Sequence, residues 1–286
     1  MKIASIDIGT NAVKSKIFKT TPTSIEFIEG IRSPIRLGTD VFNNGCLAKE
    51  KLDLLVKTLK KYQKNFIKND IAMYEIVATS AFRDTKNSEE ARRYVENKIE
   101  HPIRIISGLE EAKLIRLHPK AQSKSSKVYV DVGGGSTEIY IFENNQHIIQ
   151  SFQLGAVRGM LAKDDPQEWL RLKKWLKKQP KINTLVGLGG NIRSFLNLNN
   201  KKKMNSQNFI DLTLNIKKLD VDSKMSKYGL QKDRADVIDF ALIIYAEIIK
   251  LLEVKEIKST KWGVSDSIAV KTFHELYSKK ISISRN

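Results

Sequence analysis

The chain has 286 residues, with 50 Lys and Arg against 32 Asp and Glu, a formal charge of +18 at neutral pH. Its 41% hydrophobic content suffices for a globular core, and the single cysteine, Cys46, excludes an intrachain disulfide and fits a reducing compartment. No stretch reaches the roughly 20 apolar residues of a membrane-spanning helix, and Asp7 and Gly9 interrupt the first apolar run too early for a secretion signal, so a cytoplasmic protein without membrane attachment is expected.

Strands and helices alternate along the chain. Residues 2–8 read as a buried strand, 13–20 as an alternating strand after a Gly-Thr-Asn turn, and 24–30 as a third strand closing a meander. Leu52, Leu55, Val56, Leu59, Tyr62 and Phe66 give 49–66 helical periodicity; 74–78 is a buried strand. Asn87 and Glu90 have capping spacing at the start of a helix reaching 99; 103–106 is a short strand, and Ser107 opens another helix. After a polar stretch, 119–127, the pattern restarts: a strand over 128–132, three glycines, then strands over 137–142 and 147–152. A basic helix (166–178), a strand (184–188), a Gly-Gly turn with a helix, a long apolar helix (233–253) and a last helix (264–277) follow. A strand, a glycine turn and two more strands therefore occur twice. This is a repeat of type, not of sequence, and it predicts two related α/β domains, 1–118 and 119–286, with the last helix free to return to the first.

Five segments carry chemistry. Asp7-Ile8-Gly9-Thr10-Asn11 ends a buried strand: Gly9 permits close approach to an anion, and a buried Asp7 carboxylate needs a cation, hydrogen bonds or a metal. Taken alone, the segment reads as an Asx/Gly hairpin turn. Asp131-Val132-Gly133-Gly134-Gly135-Ser136-Thr137-Glu138 repeats the logic more specifically. Successive glycines let backbone N–H groups converge into an anion nest, with Ser136 and Thr137 as further donors, whereas a hairpin needs only one or two glycines. The two segments describe two phosphate-gripping turns facing each other across a cleft. Gly187-Leu188-Gly189-Gly190 opens a helix and offers a third anion contact, a common arrangement by itself. Arg83, closing Thr79-Ser80-Ala81-Phe82-Arg83, can hold a phosphate bidentately or form a surface ion pair. In Ser107-Gly108-Leu109-Glu110-Glu111, Ser107 and Glu110 have capping-box spacing, which leaves Glu111 as a candidate general base or a helix-dipole acid.

Together these motifs resemble the exopolyphosphatase / guanosine pentaphosphate phosphohydrolase (Ppx/GppA) family, within the actin-like ATPase and sugar kinase superfamily. The resemblance rests on IDIGTNAVKSKIF, ATSAFR, IISGLEEAKLI, VDVGGGSTEIYIF, FQLGAVRG, GLGGNIRSF and RADVIDFALIIY, in the family's order. It implies two actin-like (ribonuclease H-like) domains with an interdomain cleft. It further implies that Glu111 activates water and that Arg83 clamps phosphate. Gly9, Thr10, Asn11, Gly133, Gly134, Gly135, Ser136, Gly189 and Gly190 would bind phosphate, and Asp131 and Glu138 would hold Mg²⁺, with Asp7 helping to hold the ion or its waters. Two departures stand out: Ala12 removes a hydroxyl from the first turn, and Trp262-Gly263-Val264-Ser265-Asp266-Ser267 replaces an Arg-Glu-Gly turn. The helical domain of longer members, related to the HD hydrolases, is not expected here.

The implied reaction is hydrolysis of a terminal phosphoanhydride in inorganic polyphosphate, with guanosine pentaphosphate as the alternative substrate. The positive excess attracts polyanions, although lysine-rich solvated faces account for it equally well. Arg171, Lys173, Lys174, Lys177 and Lys178 lie on one predicted helix and Lys201, Lys202 and Lys203 in a predicted loop. Neither cluster is interleaved with base-stacking aromatics, so nucleic acid is not expected as a partner. An extended basic track favours the polyphosphate chain. A kinase of the same superfamily and a non-catalytic binder of polyphosphate or guanosine polyphosphates are the competing readings, and a homodimer is left open.

Overall fold

A computed structural model describes residues 1–121 and 126–283. Residues 122–125, within the polar stretch expected to separate the domains, lie outside the described residues. The chain forms two compact units, Met1–Ser107 with Val264–Asn286, and Gly108–Gly263. The units therefore part at 107/108 and 263/264, not at 118.

The first unit runs β1 (Lys2–Ile8), β2 (Val13–Thr20), β3 (Ile25–Ser33), α1 (Leu37–Asn44), α2 (Lys49–Lys68), β4 (Ile71–Ala78), α3 (Ser80–Asp84), α4 (Ser88–Ile99) and β5 (Arg104–Ile105). Its sheet has the order β3-β2-β1-β4-β5. The meander β1-β2-β3 is antiparallel, while β1-β4 and β4-β5 are parallel. Because side chains alternate along a strand, Ala4, Ile6 and Ile8 of β1 face one core with Leu52, Leu55, Leu59, Tyr62 and Phe66 of α2. The three-and-four spacing of the α2 stripe serves this face, and each fully buried side chain of this size contributes about 1.5–3 kcal/mol. Asn87 occupies the N-cap position of α4 without capping it. Its carboxamide instead takes the Leu47 N–H and donates to the Leu47 carbonyl, both at 3.0 Å, so the expected cap is replaced by a tie to the loop before α2.

The second unit runs α5 (Gly108–Leu114), a 3₁₀ turn (Ile115–Leu117), β6 (Lys127–Val132), β7 (Thr137–Glu143), β8 (Gln146–Phe152), α6 (Ala156–Met160), α7 (Pro166–Leu176), β9 (Thr184–Leu188), α8 (Gly189–Leu198), β10 (Lys203–Asn205), α9 (Ser206–Lys217), α10 (Val221–Tyr228), α11 (Lys232–Ala235), α12 (Ile238–Leu251) and β11 (Glu256–Ser259). The sheet order is β10-β11-β9-β6-β7-β8. Read from β8, it repeats the first sheet strand for strand, with an antiparallel β10 added at the far edge. The expected internal repeat is thus a repeat of topology. Two expectations need correction. The long helix over 233–253 is two helices, α11 and α12, parted at Asp236 and Val237. Lys203, expected in a loop, begins β10.

The last helix, α13 (Val264–Ile283), returns to the first unit. It covers the opposite face of β1 and β2, where Ala269, Phe273 and Leu276 pack with Ile3 and Phe18. Ser5 donates to the Ser265 carbonyl at 2.7 Å, and Lys16 pairs with Asp266 at 2.5 Å. Within the unusual segment at 262–267, Ser265, Asp266 and Ser267 therefore form the buried polar start of α13.

Candidate active site

The glycine turn between β6 and β7 is built by its neighbours. The Gly133 N–H closes the turn on the Ser136 carbonyl at 2.9 Å. The segment after β8 then ties down the turn's remaining carbonyls: Ala156 N–H bonds Gly133 O at 2.9 Å, and Val157 and Arg158 N–H bond Gly134 O at 2.8 and 3.0 Å. Arg158 Nε donates to Gly135 O at 3.0 Å. With the carbonyls taken from behind, the Gly134 and Gly135 N–H groups have no protein acceptor among the described residues. Two unpaired peptide donors in a glycine turn form an anion nest. The approach depends on Gly155, because a Cβ there would lie 2.5 Å from Gly135 N and 2.6 Å from Gly134 C.

Beside this nest stand the carboxylates. Asp131 on β6 and Glu138 on β7 are paired in register, so they share one face of the sheet. Glu138 is 1% exposed and accepts from Ser151 Oγ at 2.9 Å. Tyr129 and Tyr140, two residues from each carboxylate, lie on that same face with Ile115, which follows α5. Helix α5 packs on β7 and β8 and carries Glu110 and Glu111 in its first turn. Glu111 is buried, with 9% exposure. The second unit thus brings Glu111, Asp131, Glu138 and the glycine nest to one side of one sheet.

The third glycine segment joins the same place. Gly189 adopts φ +76, and a Cβ on it would lie 2.6 Å from Asp131 Oδ1, so glycine serves both the left-handed backbone and the approach of the carboxylate. Asn191 Nδ2 donates to Val132 O at 2.8 Å, and Arg234 donates to Asn191 Oδ1. A Cβ on Gly190 would meet Arg234 Nη2 at 2.6 Å. Arg158, Asn191 and Arg234 went unassigned in the sequence, although FQLGAVRG, GLGGNIRSF and RADVIDF display them. Their partners are carbonyls and amides brought close only by folding.

In the first unit the turn after β1 has the same construction. Gly9 N–H bonds Ala12 O at 3.2 Å, Gly38 N–H bonds Thr10 O at 2.9 Å, and Arg36 N–H bonds Asn11 O at 3.0 Å. The brace again follows the third strand of the meander, and Arg36 pays for it with a left-handed φ of 59°. Asp7, 2% exposed, is met by Lys14 Nζ at 3.1 Å, its register partner on β2. This ion pair answers the burial of that carboxylate. Arg83 sits on α3 rather than at a strand end. Its Nη1 donates to Ile106 O at 2.9 Å, and its Nε lies 3.4 Å from Asp84 Oδ1. The expected sites thus fall into two sets: Asp7, Gly9, Thr10, Asn11 and Arg83 in the first unit, and the remainder in the second.

The donors at the second-unit site are carboxylate oxygens. Among the described residues no group of three or more His, Cys, Asp or Glu forms a metal-holding cluster. Two carboxylates on one hairpin fit a hard cation such as Mg²⁺, which keeps several waters and shares its shell with substrate phosphates, and do not fit a closed protein cage. On the basic helix α7, Arg171 is engaged with Glu168 at 2.7 Å and with Ser151 O at 2.7 Å, and Lys173 lies 3.7 Å from Glu247. Lys174, Lys177 and Lys178 remain exposed. No described helix is long and apolar enough to cross a membrane.

Comparison with known proteins agrees with this architecture. The chain is similar to an exopolyphosphatase from Cytophaga hutchinsonii, with a TM-score of 0.85 at 19% identity over 96% of this chain and 98% of that one. It is similar to the Ppx/GppA family member of Aquifex aeolicus, with a TM-score of 0.76 at 24% identity over 96% and 98% of the two chains. It is also 29% identical over 285 residues to the bifunctional 3-dehydroquinate synthase/phosphatase of Fusobacterium nucleatum subsp. nucleatum, covering 86% of this chain and 43% of that protein. The chain therefore spans less than half the length of this curated relative. The model of the Ppx/GppA phosphatase family matches residues 16–276, most of the chain, and this shows that the chain belongs to the Ppx/GppA phosphatase family.

Proposed function

We propose that the chain is a phosphoanhydride hydrolase that releases terminal orthophosphate from inorganic polyphosphate. The observation that supports this most is the juxtaposition within one unit: a buried Glu111 on a helix packed against the hairpin of the glycine nest. In this reading the Gly134 and Gly135 N–H groups, with the Ser136 hydroxyl, take the terminal phosphate oxygens. Because phosphoryl transfer has a loose transition state, positioning and charge neutralisation supply most of the catalysis. Glu111 orients a water in line with the terminal P–O bond and accepts its proton as the new bond forms. The bridging oxygen leaves with the shortened chain, and the terminal phosphorus leaves as orthophosphate. Asp131 and Glu138 are assigned to Mg²⁺, which when bound offsets charge on the phosphate oxygens. Gly9, Thr10, Asn11 and Arg83 are assigned to phosphates from the first unit, and Gly189 and Gly190 to the second unit's nest.

The preference for polyphosphate over guanosine pentaphosphate is supported by the formal charge of +18 and by the exposed Lys174, Lys177 and Lys178. The test is orthophosphate release by the purified protein with Mg²⁺ on long polyphosphate, tripolyphosphate and guanosine pentaphosphate. Glu111→Gln is expected to keep substrate affinity and to lose about 100-fold or more in turnover. Absence of orthophosphate with all three substrates, or full turnover by Glu111→Gln, rejects the assignment.

A further inference from the structure

We infer that Arg158 is a positioning residue of the phosphate nest: it holds two carbonyls of the glycine turn, Gly134 O and Gly135 O, turned away from the anion. The inference rests on the hydrolase reading above and adds to it a residue that acts through the backbone of the nest rather than on the substrate.

A glycine turn by itself is the least suitable of scaffolds. Glycine peptides rotate more readily than others, and a flip of the Gly134–Gly135 or the Gly135–Ser136 peptide would turn a carbonyl oxygen, Gly134 O or Gly135 O, toward an anion. The structure counters this from the carbonyl side. Arg158 supplies two of the bonds, its backbone N–H to Gly134 O and its Nε to Gly135 O, both at 3.0 Å. The backbone bond is available to any residue except proline, and Val157 N–H shares the same acceptor. The bond to Gly135 O needs the side chain. It is charge-assisted and therefore stronger than a neutral one.

The surroundings of the guanidinium explain why it serves the turn and not the ligand. Its charge acts on two nearby carboxyl groups: burial raises the Asp164 pKa against the Trp169 hydrogen bond and the Arg158 charge, and Arg171 first, with Arg158 adding to it, lowers that of Glu168. Asp164 is itself anchored by Trp169 Nε1 at 3.3 Å, and Glu168 by Arg171 at 2.7 Å and by the Gln153 N–H at 2.9 Å. Anchored acidic groups within electrostatic reach favour keeping the guanidinium on the turn's side, which is the direction preorganisation requires. The first unit makes the comparison internally. There too the segment after the third strand binds the turn's carbonyls, through the N–H groups of Arg36 and Gly38, but that turn has one glycine, Gly9, where this one has three in a row. A side-chain lock is placed at the looser turn.

The experiment uses the full chain with Mg²⁺. Binding of tripolyphosphate is measured by calorimetry in Glu111→Gln, alone and combined with Arg158→Ala or Arg158→Lys, and turnover is measured with Arg158→Ala and Arg158→Lys in the otherwise unchanged chain. Loss of the charged bond is expected to weaken tripolyphosphate binding and raise KM about tenfold in Arg158→Ala. Methylguanidinium in solution should restore part of the affinity, whereas methylammonium should not, because only the planar fork reproduces the geometry. A residue that merely supports the fold would lower Tm and the folded fraction while leaving Kd and KM per folded molecule unchanged. Values within twofold of the parent in folded Arg158→Ala overturn the inference. Should that variant not fold, Arg158→Lys decides: a several-fold rise in KM upholds it, and an unchanged KM overturns it. A parent chain that binds tripolyphosphate but releases no orthophosphate would reject the hydrolase reading and leave the binding comparison intact.

Discussion

His118 shows how a single side chain reports its surroundings. It stands between Tyr129 and Trp262, with ring centroids 5.2 and 5.3 Å away. The Lys120 N–H donates to its Nδ1 at 3.1 Å, so that nitrogen is an acceptor and the ring is neutral. Burial first, then Lys120 and Lys127, lowers its pKa from 6.5 to about 4. The sign follows from proton linkage: the unfolded chain binds this proton at higher pH than the folded one, so folding is unpenalised above pH 6.5 and loses stability as the pH falls toward 4. In thermal melts across this window, wild-type Tm is expected to fall more steeply than that of His118→Gln. Parallel curves would show that the ring is not the titrating group. Glu111 is the contrasting case at this scale. Its place in the first turn of α5 could be read from the sequence, whereas its burial could not, because α5 is only seven residues long and gains its cover from β7 and β8.

At the scale of elements, function rests on how the strand–turn–strand units are backed. The turn after β6 has a tight packing partner, since any Cβ on Gly155 would meet backbone at 2.5 Å, and backbone has no rotamer with which to yield. Gly155→Ala is therefore expected to shift the glycine turn, costing about 1–3 kcal/mol in stability and raising KM for polyphosphate. Chemical denaturation and initial-rate kinetics check the two parts separately, and a variant with both values unchanged would contradict the close packing. Periodicity in the sequence located β1, β2, β6, β7, β9 and α2 well, because buried strands and an amphipathic stripe leave strong patterns. It missed α1, α3, α6, β10 and β11, which are three to eight residues long and carry too little pattern to register, and it also passed over the longer α9 and α10, of twelve and eight residues. Among them is α6, which bears Arg158. The brace of the nest lay in a segment too short to be recognised as an element.

At the scale of the whole molecule, the chain leaves its first unit after Ser107 and re-enters it at Val264. Unit one is consequently incomplete without the last helix. A chain ending at 263 would expose Ile3 and Phe18 and strand the Lys16 and Ser5 side chains. It is expected to unfold cooperatively at lower temperature or to aggregate; calorimetry showing an unchanged first transition would contradict this. The charge excess acts on the same scale. If the exposed lysines guide a long polyanion, KM for long polyphosphate should rise more steeply with salt than KM for guanosine pentaphosphate, because each neutralised phosphate releases a counterion. Equal slopes from salt titrations would remove the reason for preferring the chain substrate.

The amino-acid order alone carried the α/β class, the twofold strand–turn–strand pattern and the identity of the glycine and carboxylate motifs. These are local properties, written in alternation, helical spacing and runs of glycine. The placement of the unit boundary, the return of α13, the pairing of Asp7 with Lys14 and the arginine brace behind the nest came only with folding. Each joins residues far apart in the chain or across strands, and such contacts follow from which buried faces must be covered and which carbonyls must be satisfied, a condition met only when the whole unit closes.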